Sequence, residues 1–216
     1  MKLPLFFAFL SLSAPAHAAV IYAADFSVSG QGATHDSIGD ALESSPVAGS
    51  NWMLTFGSPS SDGTTNEFVT IGGLMRVQDW GGDGTLTSQQ IHITGNGTVD
   101  ITGEALTIGT DVFSVSTEGI TWFYRLNDGT PVSQFIGEAE LGIGPVPAGV
   151  DVGHHFTSIP VSAGDVLEVG FTVRVDGADD GVEISALEVD FTQAPEPSSA
   201  SLFAVALMGL IFYRKK

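Results

Sequence analysis

The stretch that decides the fold is Val166-Leu-Glu-Val-Gly-Phe-Thr-Val-Arg-Val175. Its large apolar side chains recur from Leu167 at every second residue, and the residues between them include Glu168, Thr172 and Arg174. A repeat of two is the period of a β-strand, because successive side chains point to opposite faces of the sheet. The stretch therefore predicts a strand with one face in the core and the other toward solvent.

The same alternation recurs along the chain. Residues 120–126 place Ile120, Trp122 and Tyr124 on one face, and residues 187–191 alternate in the same way. Further predicted strands are short, at 21–28, 52–56, 68–71, 74–77, 90–94, 98–102, 112–116, 132–136 and 156–161. Turn signals separate several of them, at 94–97, 127–129 and 176–181.

About a dozen short strands at this spacing predict an all-β protein, an antiparallel β-sandwich of jelly-roll type. No helical periodicity is found between residues 20 and 193, and the polar, Gly/Ser-rich residues 29–50 and 57–67 are predicted to be long loops. The sandwich domain is expected to span residues 19–192. That length is enough for one domain with a sizeable core.

Charge and cysteine content restrict the possible functions. Residues 25–196 hold all 25 acidic residues and only three arginines, a net charge near −22. Such a surface repels nucleic acid, so no nucleic-acid partner is expected. Cysteine is absent, which excludes disulfides, thiol nucleophiles and thiolate metal sites.

The N-terminus has the anatomy of a secretory signal peptide over residues 1–18. Lys2 provides the positive charge, residues 3–12 the apolar region, and Ala16-His17-Ala18 a small-residue cleavage site. Export through a secretion translocon is therefore expected.

The C-terminus has three parts. Residues 193–199 form a linker that contains Pro195-Glu196-Pro197, residues 200–213 are a hydrophobic segment, and residues 214–216 are a basic tail. As a helix, the hydrophobic segment is short for a bilayer core about 30 Å thick. The basic tail after it agrees with a cytoplasmic stop.

These C-terminal parts resemble the PEP-CTERM sorting domain of exported Gram-negative bacterial proteins, over residues 194–216. The resemblance implies Pro195, Glu196 and Pro197 as the sorting motif, processing by an exosortase, and a short hydrophobic helix as a transient inner-membrane anchor. The implied destination is the cell surface or the extracellular matrix. The resemblance says nothing about the activity of residues 20–193.

Two acidic loops are candidate calcium sites. Asp176, Asp179 and Asp180 with Glu183 form the denser one, and Asp79 and Asp83 belong to the other. Calcium takes six to eight oxygen ligands, and clustered carboxylates supply several. Ordinary Asp-Gly turns are the alternative.

Two parts of the sequence are candidate sites for binding or cleaving carbohydrate. Trp80, in a Gly-rich loop, is predicted to be an exposed ring for stacking on a sugar, whereas Trp52 and Trp122 are predicted to be core residues. Glu188-Val-Asp190-Phe-Thr-Gln193 resembles the Glu-x-Asp-x-x-Glu motif of laminarinase-type glycoside hydrolases, but Gln193 stands at the second catalytic position.

The sequence therefore predicts an exported, non-catalytic surface or matrix protein. A carbohydrate-binding module for exopolysaccharide is one alternative, and a glycoside hydrolase or lyase with an unrecognised site is another.

Overall fold

The structure, a computed structural model, describes residues 18–35, 50–56, 66–80, 82–110, 112–113, 116–144, 146–175, 177 and 180–195. In chain order, the described elements are β1 (Ala18–Ala23), β2 (Gly32–His35), β3 (Trp52–Phe56), β4 (Asn66–Ile71), β5 (Leu74–Gln78), β6 (Gly84–Ser88), β7 (Ile91–His92), β8 (Gly97–Ile108), β9 (Gly119–Leu126), β10 (Val132–Ile136), α1 (Glu138–Leu141), β11 (His154–Val161), β12 (Val166–Arg174) and β13 (Gly181–Gln193).

The strands form two antiparallel sheets, as the alternating pattern predicts. The first sheet has the order β11-β8-β13-β5-β4-β2, with β1 also paired to β13. The second sheet has the order β10-β9-β12-β6-β3, with β7 also paired to β12. The predicted all-β sandwich is therefore confirmed.

The pairing of the last eight main strands is that of a jelly roll. Strand β13 pairs with β5, β12 with β6, β11 with β8, and β10 with β9. These pairs nest inside one another, as in one long hairpin rolled up so that its two arms contribute to both sheets. The remaining strands extend the sheets at their sides.

Most predicted strands are confirmed, and the differences have physical reasons. Strand β6 was not predicted, because it contains a single large apolar residue, Leu86, and is held as a strand by pairing with β3 and β12. Strand β2 lies inside the predicted loop 29–50, where pairing with β4 makes a Gly-containing segment extended. Strand β8 continues to Ile108, well past the predicted end at 102.

Two predictions of local structure are wrong. Of the predicted strand 112–116, the structure describes residues 112, 113 and 116, which form no strand, and Val112 makes an isolated bridge with Val146. The short helix α1 was not predicted, because one turn is too short to leave a helical period. Of the predicted signal peptide over 1–18, residues 1–17 lie outside the described residues, and Ala18 is the first residue of β1. The predicted hydrophobic helix over 200–213 also lies outside the described residues.

A series of aromatic rings fills the space between the sheets. Phe171 of β12 stacks on Phe68 of β4 at 6.2 Å and meets Trp122 of β9 edge-on at 5.4 Å. The predicted core positions of Trp52 and Trp122 are confirmed, with 1% and 2% of their surfaces exposed. The indole N–H of Trp122 donates to the carbonyl of Val152 at 2.8 Å, so this buried polar group is satisfied.

The predicted turn at Asn127 ties three strands together. Asn127 and Asp128 have φ of 51° and 56°, the left-handed region that suits a tight hairpin turn. The Asn127 side chain donates to Asp165 at 2.8 Å and accepts from the Val166 N–H at 2.9 Å. The Asn127 amide, and then the Ser162 N–H, lower the pKa of the Asp165 carboxyl below its usual value. This turn therefore fixes the register of β9 against β12.

Gly103 provides a test of the core. A Cβ on Gly103 would lie 2.5 Å from Trp122 Cε3, whereas a Cβ on Gly144 would meet nothing within 4 Å. We expect Gly103→Ala to lower the free energy of unfolding by about 3 kcal/mol, because the ring of Trp122 must move within a packed core. Gly144→Ala is the control, with an expected change within about 0.5 kcal/mol. Urea denaturation of the full chain measures both, and equal stabilities of the two variants would contradict this account of the core.

Candidate functional site

Trp80 is not the exposed ring that the sequence predicts. It is fully buried, and its ring meets Phe68 edge-on at 6.0 Å. Gly84 leaves room for both rings, since a Cβ there would lie 2.6 Å from Phe68 Cε2 and 3.1 Å from Trp80 Nε1. A tryptophan in a Gly-rich loop can turn into the core when a neighbouring strand lacks a side chain, and Trp80 therefore offers no stacking platform.

The two acidic loops lie next to each other. The N–H of Asp79 donates to the carbonyl of Asp180 at 3.0 Å, although the two residues are about a hundred positions apart in sequence. Asp180 Oδ1 also accepts the Thr110 N–H at 3.1 Å. Asp176 and Asp179 lie outside the described residues. The predicted calcium site at these loops therefore stays a prediction.

Glu183 is engaged elsewhere. Its carboxylate accepts from Arg76 Nε at 3.0 Å and from a terminal nitrogen of Arg76 at 2.5 Å, on the outer side of the first sheet. Within the described part of the chain, no group of three or more His, Asp or Glu side chains is arranged to hold a metal ion.

Glu188 and Asp190 lie on the outer side of β13, in the middle of the first sheet. Asp190 pairs in register with Asp100 and Glu188 with Thr102. Gln193 is the last residue of the strand. The segment is thus the last strand with a polar outward face.

Charge divides unequally between the two sheets. Strands of the first sheet carry one arginine, Arg76, and the six carboxylates of Glu67, Asp100, Glu104, Glu183, Glu188 and Asp190. Strands of the second sheet carry one carboxylate, Glu168, and two arginines, Arg125 and Arg174. Among strand residues, the carboxylates are therefore concentrated on the first sheet.

The outer side of the second sheet is a surface of hydroxyl groups and rings. We call it the hydroxyl face and define it as Thr55, Thr85, Thr87, Thr121, Phe123, Arg125, Phe135, Glu168, Gly170, Thr172 and Arg174. One row crosses all five main strands in register, from Phe135 through Thr121, Thr172 and Thr85 to Thr55. The hydroxyls of Thr85 and Thr172 are hydrogen-bonded at 2.8 Å.

Glycines bring two aromatic rings down onto this face. A Cβ on Gly170 would lie 2.7 Å from Phe123 Cζ, so the partly exposed ring of Phe123 lies over the backbone of β12. Phe135 lies in the same way over Gly119 and Gly137, whose Cβ atoms would be 2.6 Å and 2.8 Å from its ring. The missing side chains of these glycines therefore let both rings lie close to the backbone beside the threonine row.

The ionic groups of the hydroxyl face differ in their partners. Arg125 Nε donates to Glu168 Oε2 at 2.7 Å, and the two side chains form an ion pair. Arg174 follows at the end of β12, opposite Gly119. Its Nε atom is buried and has no hydrogen-bond acceptor.

A shallow groove of about 290 Å³ opens on the opposite side of the domain, and Glu104, Asp151, His155 and Ser185 are among the residues that line it. Its groups bond mainly to one another or to nearby backbone: Ser185 donates to Glu104 at 3.3 Å and the Gly153 N–H to Asp151 at 2.8 Å. His154 points away from this groove and packs on Phe156 at 4.5 Å. Burial, and then repulsion from His155, lower the pKa of His154.

Sequence reasoning missed the hydroxyl face. Threonine alternates with apolar residues in ordinary strands, so β6 and β12 gave no separate signal of function. Only the register shows that their threonines form one row. The sign of this face in the sequence was Gly170, between Val169 and Phe171, because a glycine inside a strand indicates that a ligand or another part of the protein approaches the backbone closely.

Of the predicted sorting motif, the structure describes Pro195. The N–H of Ala194 donates to the carbonyl of Asn96 at 2.8 Å, which ties the end of the domain to the β7–β8 turn. Glu196, Pro197 and the hydrophobic segment lie outside the described residues. Over the residues that are described, no helix has the length and apolar character needed to cross a membrane.

No protein-family model matches the chain, and no curated protein matches it. Solved structures of similar fold include the K3 adhesin domain of Lys-gingipain from Porphyromonas gingivalis w83, with 14% identity, TM-score 0.41, and coverage of 81% of this chain and 99% of that chain. The carbohydrate-binding module TmCBM61, in complex with β-1,4-galactotriose, has 14% identity, TM-score 0.35, and coverage of 68% and 83%. The CBM22-1 xylan-binding domain of Xyn10C from Paenibacillus barcinonensis has 9% identity, TM-score 0.32, and coverage of 84% and 99%. These values describe a likeness in general fold, so no functional residue is transferred from those proteins.

Because Glu183 is paired with Arg76, we predict that Glu183 is not a calcium ligand. We expect Glu183→Gln to lower the free energy of unfolding by about 0.5 kcal/mol, because the pair is partly exposed to solvent. Any change in melting temperature on adding calcium or EDTA should be the same in the variant and in the wild type. Arg76→Gln is the matched control, since it breaks the same pair without removing an acidic ligand. A calcium response lost in Glu183→Gln and kept in Arg76→Gln would make Glu183 a ligand.

Proposed function

We propose that this protein is an exported, non-catalytic carbohydrate-binding β-sandwich that binds extracellular polysaccharide through the hydroxyl face. The observation that carries the proposal is the uneven charge of the two sheets. Six carboxylates lie in the strands of the first sheet and one in those of the second. In a strongly acidic domain, a face with few carboxylates suits a ligand rich in hydroxyl groups.

The chemistry of the face matches that of a sugar. A pyranose ring has C–H groups on its flat sides and hydroxyl groups around its edge. Phe123 offers a partly exposed ring close to Gly170, which can cover the C–H side of a sugar. The threonine hydroxyls both donate and accept hydrogen bonds, so they complement the hydroxyls at the edge.

The same face supports a role in binding rather than hydrolysis. Glycoside hydrolysis ordinarily requires two carboxyl groups that flank the bond to be broken. Glu168 is the only carboxylate in the described strands of the second sheet, and it is paired with Arg125. Glu188 and Asp190 lie on the opposite sheet.

Export and sorting complete the proposal. The signal peptide over residues 1–18 and the resemblance of residues 194–216 to a PEP-CTERM segment support passage through a translocon, transient anchoring in the inner membrane, and processing by an exosortase. The protein would then lie at the cell surface or in the extracellular matrix, where polysaccharide is abundant. A non-catalytic module there attaches the surface to its polymer.

Phe123 provides the test of binding. We expect the full chain to bind a subset of polysaccharides on a glycan array, and Phe123→Ala to weaken that binding at least tenfold, which corresponds to about 1.4 kcal/mol. Leu106→Ala is the control, because Leu106 is 50% exposed on the opposite sheet. Calorimetry with the best glycan measures the affinities. Absence of binding by the wild type, or release of reducing sugars from any polysaccharide, would contradict a non-catalytic binding role.

Processing provides the test of export. We expect the protein recovered from the surface or matrix of its native host to begin near Ala19 and to lack the tail Arg214-Lys215-Lys216. Intact-mass spectrometry of that fraction measures both ends. Mature protein found in the cytoplasm, or surface protein that still carries the tail, would rule out this route.

A further inference from the structure

We propose that Arg174 makes the hydroxyl face selective for saccharides that carry a carboxylate, that is, for uronic acid residues. This inference rests on the proposed glycan-binding function and names the class of sugar that the face prefers. Its basis is the contrast between Arg174 and the other two arginines of the domain.

Among the described residues, Arg76 and Arg125 each form an ion pair, with Glu183 and Glu168 respectively. Arg174 forms none there, although the domain has many carboxylates. The nearest in register is Asp83, just before β6, because Gly84 pairs with Val173. Asp83 is exposed and makes no ion pair with Arg174.

Arg174 is also held in place. Its side chain is partly buried, and its Nε has no access to solvent and no acceptor. Nε is therefore closed to a ligand as it is to water. A ligand on the hydroxyl face can pair only with the terminal nitrogens of this guanidinium, which form no ion pair with a described residue.

The geometry favours a carboxylate as that acceptor. A guanidinium is planar and permanently charged, and its parallel N–H groups match the two oxygens of a carboxylate. Arg174 lies at one end of the hydroxyl face, two residues along β12 from Thr172 in the threonine row. Phe135, held over Gly119, lies beside it, since Gly119 is the register partner of Arg174. A sugar on this part of the face can thus place a ring carboxylate at Arg174 and its hydroxyls along the threonines.

The matched pair of ligands is tetragalacturonate and the same tetrasaccharide after carboxyl reduction, which replaces each carboxylate by a CH₂OH group. We expect the full chain to bind tetragalacturonate about tenfold more tightly than the reduced form at physiological salt. Arg174→Gln should abolish this preference while it leaves affinity for the reduced form within twofold. Arg174→Lys should keep only part of the preference, because an ammonium lacks the planar fork.

Arg76→Gln is the control variant, since it removes a positive charge of equal size from the opposite sheet, and it should keep the full preference. Because Nε of Arg174 has no acceptor and the side chain forms no ion pair among the described residues, we expect Arg174→Gln to melt no lower than the wild type. A melting curve of the variant then separates a loss of preference from a loss of folding. Equal affinities of the wild type for the two tetrasaccharides, or an unchanged preference in Arg174→Gln, would overturn the selectivity and leave glycan binding intact. The proposed selectivity would also be overturned if the wild type bound neutral glycans on the array but neither tetrasaccharide. A wild type that binds no glycan at all would instead overturn the proposed function.

Discussion

The contact between Phe171 and its neighbours Phe68 and Trp122 is the constraint on which the rest of the structure depends. It joins the two sheets at the centre of a core that no disulfide supports. Rings of this size bury more apolar area than any other side chains and fit only where the opposite backbone leaves room. Gly84 and Gly103 provide that room. The positions of the glycines are therefore as important for the fold as the rings themselves.

Once the inner face of β12 is fixed, its outer face is fixed as well. Because Phe171 must point inward, Gly170 and Thr172 must point outward, and a shift of one residue would exchange the two sets. Pairing with β9 and β6 then brings Thr121 and Thr85 to either side of Thr172. Core packing therefore determines where the hydroxyl face lies. It does not determine the residue types on that face, since charged side chains there would leave the same core unchanged.

The sequence predicted the sandwich and many of its strands, because alternation is a local property that a single strand displays. It did not predict which strands are neighbours, and the threonine row exists only through pairing of segments far apart, such as Thr85 with Thr172. The same reason explains Trp80. Its burial depends on contact with Phe68, which is outside its own loop, and on the room that Gly84 leaves for both rings, which only the folded structure shows. Asp79 and Asp180 likewise come together through tertiary structure alone. The termini were interpreted from composition and order, and their function stays a prediction.

The remaining question is how an acidic domain could attract an anionic sugar at all. Packed sheets lie about 10 Å apart, and side chains on the two outer faces add to this separation. The screening length at physiological salt is about 8 Å. The carboxylates of the first sheet, such as Asp100, Glu104 and Glu188, therefore contribute only a weakened field at a ligand on the hydroxyl face. A single arginine in direct contact acts over about 3 Å, where screening is small, and its attraction exceeds the repulsion of the carboxylates on the first sheet. Low salt should reverse this balance, because at 0.01 M the screening length of about 30 Å spans the whole sandwich.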